Sequence, residues 1–344
     1  MNRITDAKAI SLLKDGDILT LAQQADKIRQ KLHPGNIVTF VIDRNINYTN
    51  ICVNECRFCA FYRRPEQAGA YLLSIDEILE KVQATIDAGG TQIMLQGGLH
   101  PDVDFQYYID ILRAIKKKFD IVIHSFTATE ILHFSKITGY SFTEVLKRLQ
   151  NAGLSSLPGG GAEILVDRVR KIVSPKKIMT DDWLEVMRCA HNIGMKSTAT
   201  MVLGLGETIE ERIEHMQKIR QLQEETGGFR AFIMWSFQPG HTELGGEKIS
   251  SWDYLKTLAV SRIYFDNISH IQGSWVTQGK NIGQMSLAFG ADDLGSIMLE
   301  ENVVKAAGTS NHMSVNSMID TIRKADKIPA QRDTAYNIIK KLTD

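Results

Sequence analysis

The feature that most constrains this 344-residue chain is a repeated switch of hydrophobic period. Short runs rich in Val, Ile, Thr and Phe fall at about 37–43, 91–96, 120–125, 154–157, 197–203, 230–237, 270–275 and 285–289. Between them, apolar residues recur at three-to-four spacing over 75–88, 104–118, 141–152, 181–193, 207–225 and 251–266, which marks helices with one buried face. The 181–193 segment opens on Thr180 and Asp181 and stops before Gly194, matching helix start and stop signals. Eight strands alternating with helices predict parallel pairing through right-handed crossovers. Closed on itself, that α/β pattern is a (β/α)8 barrel of the TIM type. The reading gives a single domain over 1–344: a helical lead-in over 1–35, a core over about 37–290 and a helical tail over about 296–344. With 43% hydrophobic residues, a chain of this size can fill one such core.

Forty basic residues balance forty acidic ones, which argues against a nucleic-acid or membrane-surface partner. No apolar run approaches the roughly 18 residues of a membrane span. The start, "MNRITDAKAISLLKDGD", reads as a helix and not as an export signal. Four cysteines without such a signal fit a cytoplasmic location.

On a barrel, chemistry gathers at the loops that follow the strands' C-terminal ends. "NICVNECRFCAF" follows the first strand, and "QGGLHPD", "HSFTATE", "PGGGAEI", "GLGET", "QPGHTE" and "FGADD" follow later ones. The first of these holds Cys52, Cys56 and Cys59 at C-x3-C-x2-C spacing, leaving only Cys189 elsewhere. Structural zinc wants four ligands, and the nearest candidates for a fourth are His33 and His100, both distant in sequence. Three thiolates on a [4Fe–4S] cluster instead leave one iron open to an outside ligand. Phe58, just before the last cysteine, would shield such a site from solvent.

This arrangement resembles the radical S-adenosylmethionine (SAM) superfamily. The resemblance implies a [4Fe–4S] cluster on Cys52, Cys56 and Cys59, with SAM on the open iron and a 5′-deoxyadenosyl radical released on reduction. It implies that Gly97 and Gly98 offer backbone to SAM's ammonium, although a tight strand-to-helix turn also explains two glycines. Leu99, His100 and Pro101 stand where a glutamate often follows, so no carboxylate role transfers there. In "PGGGAEILVDRVR", Glu163 and Asp167 are placed to accept from SAM's ribose hydroxyls or to complement a helix N-terminus, and Arg168 or Arg170 to clamp a carboxylate. Gly204 and Gly206 of "MVLGLGET" resemble the segment packed on adenine, with Glu207 and Thr208 starting the next helix.

More narrowly, "NYTNICVNECRFCAF", "LQGGLHPD", "WSFQPGHTEL" and "LAFGADDLGSIMLEENVVKAAG" resemble the enzymes of futalosine-dependent menaquinone synthesis and of deazaflavin synthesis, over about residues 35–310. Thr127 and Asp292 depart mildly from that group's pattern. The resemblance implies dehypoxanthine futalosine as substrate and an electron donor such as flavodoxin or ferredoxin. Hydrogen would leave C4′ of the ribose, and the carbon radical would close onto the substrate's benzoate ring. That asks for a dry interior, a cation for the carboxylate and a base near the ring. Asp292 and Asp293 are the first candidates for the base, with Glu243 and His241 behind them, though a capping role suits the aspartates equally. Lys280 and Arg262 are candidates for the benzoate, and Thr49, Gln96, Ser125, Ser236, Gln238, Ser274 and Gln278 for ribose hydroxyls. Tyr48 and Trp275 read as packing residues.

Overall fold

The computed structural model describes residues 3–343. Its strands are β1 (Ile37–Val41), β2 (Asp43–Ile46), β3 (Gln92–Leu95), β4 (Val122–Ile123), β5 (Ser156–Leu157), β6 (Lys196–Leu203), β7 (Phe229–Ser236), β8 (His270–Gln272), β9 (Asp293–Ser296), β10 (Ile328–Arg332) and β11 (Ile338–Lys341). β1 and β2 are one stave interrupted at Ile42: β1 pairs with β9, and β2 pairs with β3. Parallel pairing then runs β3–β4, crosses by the His124–Ser156 bridge, and continues β5–β6–β7–β8–β9 back to β1. The ring closes as a (β/α)8 barrel.

Helices pack around it because their sequences stop and start them cleanly. Reciprocal capping boxes at Ser74/Glu77, Thr127/Glu130, Ser141/Glu144 and Thr208/Glu211 open four of them, each satisfying two otherwise orphaned N–H groups. Their inner faces bury Tyr108, Phe134, Trp183 and Tyr254 completely. Each such side chain contributes on the order of 1.5–3 kcal/mol of burial. In the lead-in, helix Ile18–Leu32 packs on helix Ser251–Tyr264.

Two expectations change. Residues 285–289 are not a strand: they end helix Lys280–Ser286 and turn, and the last stave is β9. "MSLAF" has no β-branched residue, and a short buried apolar run does not distinguish helix from strand. The true strand, "DLGS", is short, polar and glycine-containing, so it carries no strand signal of its own. The tail is helical only in part, over Val303–Ala306 and Val315–Arg323, and then adds β10 and β11. β10 lies parallel to β1 from Ile37–Ile328 to Phe40–Gln331, on the edge that β1 does not offer to β3. Beyond it, the chain crosses the barrel's N-terminal end. There Thr334 Oγ1 donates to Gln92 Oε1 at 2.5 Å, and Tyr336 stacks on His270 at 3.9 Å between ring centroids. Among the described residues no helix is long and apolar enough to cross a membrane.

Candidate active site

The loop after β2 carries Cys52, Cys56 and Cys59, all free thiols. The Cys52 N–H donates to Arg63 O at 3.1 Å and the Arg63 N–H to Asn50 O at 2.8 Å, while the Cys59 N–H turns back onto Cys56 O at 3.0 Å. Burial pushes the Cys56 thiol up to about 12, and the neighbouring Cys59 and Cys52 push it the same way, so the three lie in each other's field. Burial raises Cys59 as well. Thiols held in this way give up protons to a strongly cationic centre, as an iron–sulfur cluster provides. Among the described residues no histidine joins these thiols in a metal-ligand set: the His33 ring is at Ser269 O (2.8 Å), at the start of β8, and His100 Nδ1 accepts from the Asp102 N–H at 3.1 Å.

The loop after β3 seats the cysteine loop. A Cβ on Gly98 would lie 2.1 Å from Ile51 O, and one on Gly97 would lie 2.5 Å from the Tyr48 ring. Close packing, of Gly98 on the Ile51 backbone and of Gly97 on the Tyr48 ring, therefore demands this glycine pair before any ligand does. Glu130, which sequence reasoning passed over, ties the parts together. Its carboxylate accepts from the Gly97 N–H at 3.2 Å, the Thr127 N–H at 2.6 Å, the Thr127 hydroxyl at 2.7 Å and the Tyr48 hydroxyl. The T-x-x-E capping pattern was the available signal for it. Thr127 is thus a helix cap.

After β5, Gly159, Gly160, Gly161 and Glu163 line the barrel cavity. Glu163 sits in the left-handed region at φ 38°, a conformation that costs a non-glycine residue energy. Its Oε1 accepts from Lys177 Nζ at 2.7 Å, whereas its buried Oε2 has no hydrogen-bond partner and lies 3.6 Å from Arg170 Nη1. Lys177, also missed in sequence, lies 5.3 Å from the Phe58 ring centroid; burial opposes its charge, but Glu163 and Cys56 outweigh burial and raise it. An orphaned carboxylate oxygen and an ammonium beside the thiols fit a ligand that brings hydroxyls and a carboxylate, as SAM does. Arg170 is spent on the carbonyls of Gly161, Ala162, Ile164 and Ile178, which props up the glycine loop. Arg168 is turned away from the cavity: it grips Glu211 with two bonds of 2.6 Å and Gly206 O at 2.9 Å. Asp167 caps the next helix through the Thr180 N–H at 3.1 Å. Gly204 and Gly206, at φ 93° and 82°, shape a turn whose N–H groups at Gly204 and Leu205 close on Glu207 at 3.0 and 2.8 Å.

Inside the barrel, alternate residues point inward: Asp43 and Asn45, Gln92 and Gln96, Thr198 and Thr200, Gln272 and Ser274. The cavity measures about 280 Å³, near the lower end of the ~300–1,000 Å³ typical of small-molecule sites. Of the expected polar liners, Gln96 and Ser274 reach it. Thr49 instead donates to Tyr71 O, Ser125 accepts from the Leu95 N–H, and Gln238 and Gln278 both donate to the Ser236 hydroxyl. Trp275 lines the cavity and Tyr48 packs outside it. Asp43 and Glu301 are the carboxylates that join Glu163 in the lining. Burial raises both, against hydrogen bonds to Asp43 from Ser296 and Gln92, and to Glu301 from the N–H groups of Val304, Lys305 and Val303. Burial pushes His124 down to about 3, which keeps its imidazole neutral.

Asp292 and Asp293 are elsewhere, because they begin β9 and do not follow it. Asp292 is buried against Arg262, with His270 Nδ1 at 2.6 Å, the Ile271 N–H at 2.8 Å and His33 Nε2 at 3.4 Å. Burial alone would raise it, but Arg262 and then His270 hold it well below the usual carboxylate range. Asp293 is paired with Arg332 and accepts from Thr39 Oγ1 at 2.6 Å. Arg262 is thereby consumed, Lys280 donates to Ser317 Oγ at 2.9 Å, Glu243 pairs with Arg57 at 2.8 Å, and His241 does not line the cavity.

A (β/α)8 barrel with three free thiols on the loop after its first stave defines a class, and the chain belongs to the radical SAM superfamily, which it matches over residues 46–219. Residues 226–343 match the CofH/MqnC C-terminal region. Among its relatives are two proteins described as cyclic dehypoxanthine futalosine synthase. That of Streptomyces coelicolor is 48% identical over 97% of this chain and 85% of its own length; that of Halalkalibacterium halodurans is 47% identical over 99% and 93%. The fold is shared with methylornithine synthase (PylB), at TM-score 0.76 and 20% identity over 96% of this chain and 95% of that one.

Proposed function

We propose that this chain is a radical SAM cyclase of menaquinone biosynthesis, converting dehypoxanthine futalosine to cyclic dehypoxanthine futalosine. The full-length likeness to two such synthases carries the assignment. Cys52, Cys56 and Cys59 hold the [4Fe–4S] cluster, and Phe58 screens it. Gly97, Gly98, Glu163 and Lys177 receive SAM, with Gly204 and Gly206 shaping the adjoining turn; Arg168 takes no part. Bound together, cluster and SAM supply a 5′-deoxyadenosyl radical when an electron arrives from a donor such as flavodoxin or ferredoxin, a chemistry suited to a reducing cytoplasm.

The chain's own residues do the rest. The barrel interior would hold the substrate with its ribose toward the cysteine-loop end and exclude water, so that the C4′ radical left by hydrogen abstraction closes onto the benzoate ring. The ring then loses a proton and an electron to regain aromaticity, the electron passing to the one-electron carrier left oxidised by the first reduction. The proton has Glu301 to go to, a carboxylate whose pKa burial raises and which therefore holds a proton better than an exposed acid. Anaerobic incubation with dehypoxanthine futalosine, SAM and reductant tests the assignment. Free 5′-deoxyadenosine and a product lacking two hydrogens are expected; adenosine retained in the product would mean radical addition, the chemistry of an aminofutalosine synthase.

A further inference from the structure

Resting on that substrate assignment, we propose that Arg332, delivered by the C-terminal segment, is the anchor for the substrate's carboxylate and thereby sets which way the substrate enters the barrel. A carboxylate carried into a water-excluding cavity needs a cation and hydrogen-bond donors. Among the described residues that line this cavity, Arg332 is the only lysine or arginine, and His124 is neutral. The cations that sequence reasoning favoured are committed elsewhere, Arg262 to Asp292 and Lys280 to Ser317.

Arg332 is already built as a receptor. Nε and Nη2 donate to the two oxygens of Asp293 at 2.6 and 3.1 Å, Nη1 donates to Asp333 O at 3.0 Å, and the guanidinium lies 3.9 Å over the Tyr336 ring. Of the five N–H groups of a guanidinium, these bonds use three, so each terminal nitrogen keeps one donor for a second carboxylate. Thr334 and Tyr336 share the same floor of the cavity. Burial pushes neighbouring Asp43 toward its neutral acid, and a bound carboxylate adds to that push, which limits repulsion between them.

Position gives the anchor its consequence. Arg332 ends β10 beside β1, and the chain after it contacts the first residues of β3 and β8, whereas the cysteine loop follows the opposite end of the first stave. A carboxylate held at the floor points the ring inward and the ribose toward the end where the radical forms. Turned the other way, the substrate would bring its ring to the radical in place of C4′.

Trp235 and Trp275 line the cavity, so their fluorescence reports binding. Affinities of dehypoxanthine futalosine and of its carboxamide counterpart are to be measured on the wild type and on the R332Q/D293N pair, which leaves no orphaned charge. On the wild type the carboxylate should bind more tightly on the order of 10- to 100-fold, and the double variant should lose most of that preference. Arg332→Lys should keep only part of it, because the ammonium lacks the fork. Equal wild-type affinity for the two ligands, or a preference that survives in the double variant, overturns the anchor. The wild-type comparison stands even if the variants do not fold. Failure of the wild type to bind either ligand, while it still cleaves SAM, overturns the substrate assignment and the anchor with it.

Discussion

Lys177 donates to Glu163 within the β5–β6 connection, its ammonium 2.7 Å from one carboxylate oxygen and within the electrostatic field of Cys56. One residue comes from the glycine-rich loop after β5 and the other from the turn before helix Thr180–Asn192, so this pair fixes the side of the site that faces the thiols. Glu163→Gln keeps the shape and removes the charge. SAM affinity, measured by equilibrium dialysis, should fall by about tenfold through loss of a charge-assisted bond, while the cluster's iron content stays unchanged.

Each of Cys52→Ala, Cys56→Ala and Cys59→Ala should abolish cluster incorporation and SAM cleavage. The barrel should persist, because the core of Trp183, Tyr108 and Phe134 lies outside the loop. Iron and sulfide content with far-ultraviolet dichroism checks both halves. Coincident loss of the fold would contradict the separation of loop and core.

Gly98→Ala inserts a methyl 2.1 Å from Ile51 O, where backbone cannot yield cheaply. The cysteine loop must shift. We expect a large fall in cluster occupancy after anaerobic reconstitution, from a substitution that changes no ligand. Normal occupancy would show that the two loops adjust independently.

Asp292 should prove structural. Its pKa is held below the unfolded value, so its contribution is present above pH ~4 and is lost as pH falls toward the folded value. Asp292→Asn leaves the buried Arg262 uncompensated, a loss of about 3–5 kcal/mol at neutral pH. In urea unfolding of the cluster-free protein, the gap between wild type and variant should narrow as pH is lowered below ~4. A gap that widens with acid would reverse the sign of this assignment.

Glu301→Gln should slow cyclised product by roughly 10²- to 10⁴-fold, the range for loss of a general base. With the carboxylate end of the substrate on the floor, the ring carbon that loses its proton faces the mouth, on Glu301's side. Asp43→Asn should therefore cost less. 5′-Deoxyadenosine would continue to form in the Glu301 variant, so the ratio of deoxyadenosine to product is the readout.

Seven of the eight staves lay where the strand-like runs placed them, and the cysteine loop followed the first, because periodicity and ligand spacing are local properties. The eighth failed for a physical reason. "DLGS" is held in the sheet by its neighbours β8 and β1 and not by its own composition, so the helical "MSLAF" before it looked more strand-like. That single displacement moved Asp292 and Asp293 to the wrong end of the barrel. Lys177 and Arg332 were invisible for a related reason: Lys177 acts on Cys56, far away in the chain, and Arg332 meets the interior only because β10 docks beside β1, while Glu130 showed only its capping pattern and not its reach to Gly97.

Hydrogen abstraction from C4′ followed by ring closure is open to a direct test with dehypoxanthine futalosine deuterated at C4′. One deuterium in the 5′-deoxyadenosine and none at C4′ of the cyclised product are expected. Unlabelled 5′-deoxyadenosine alongside substrate consumption, or adenosine found covalently in the product, would contradict it.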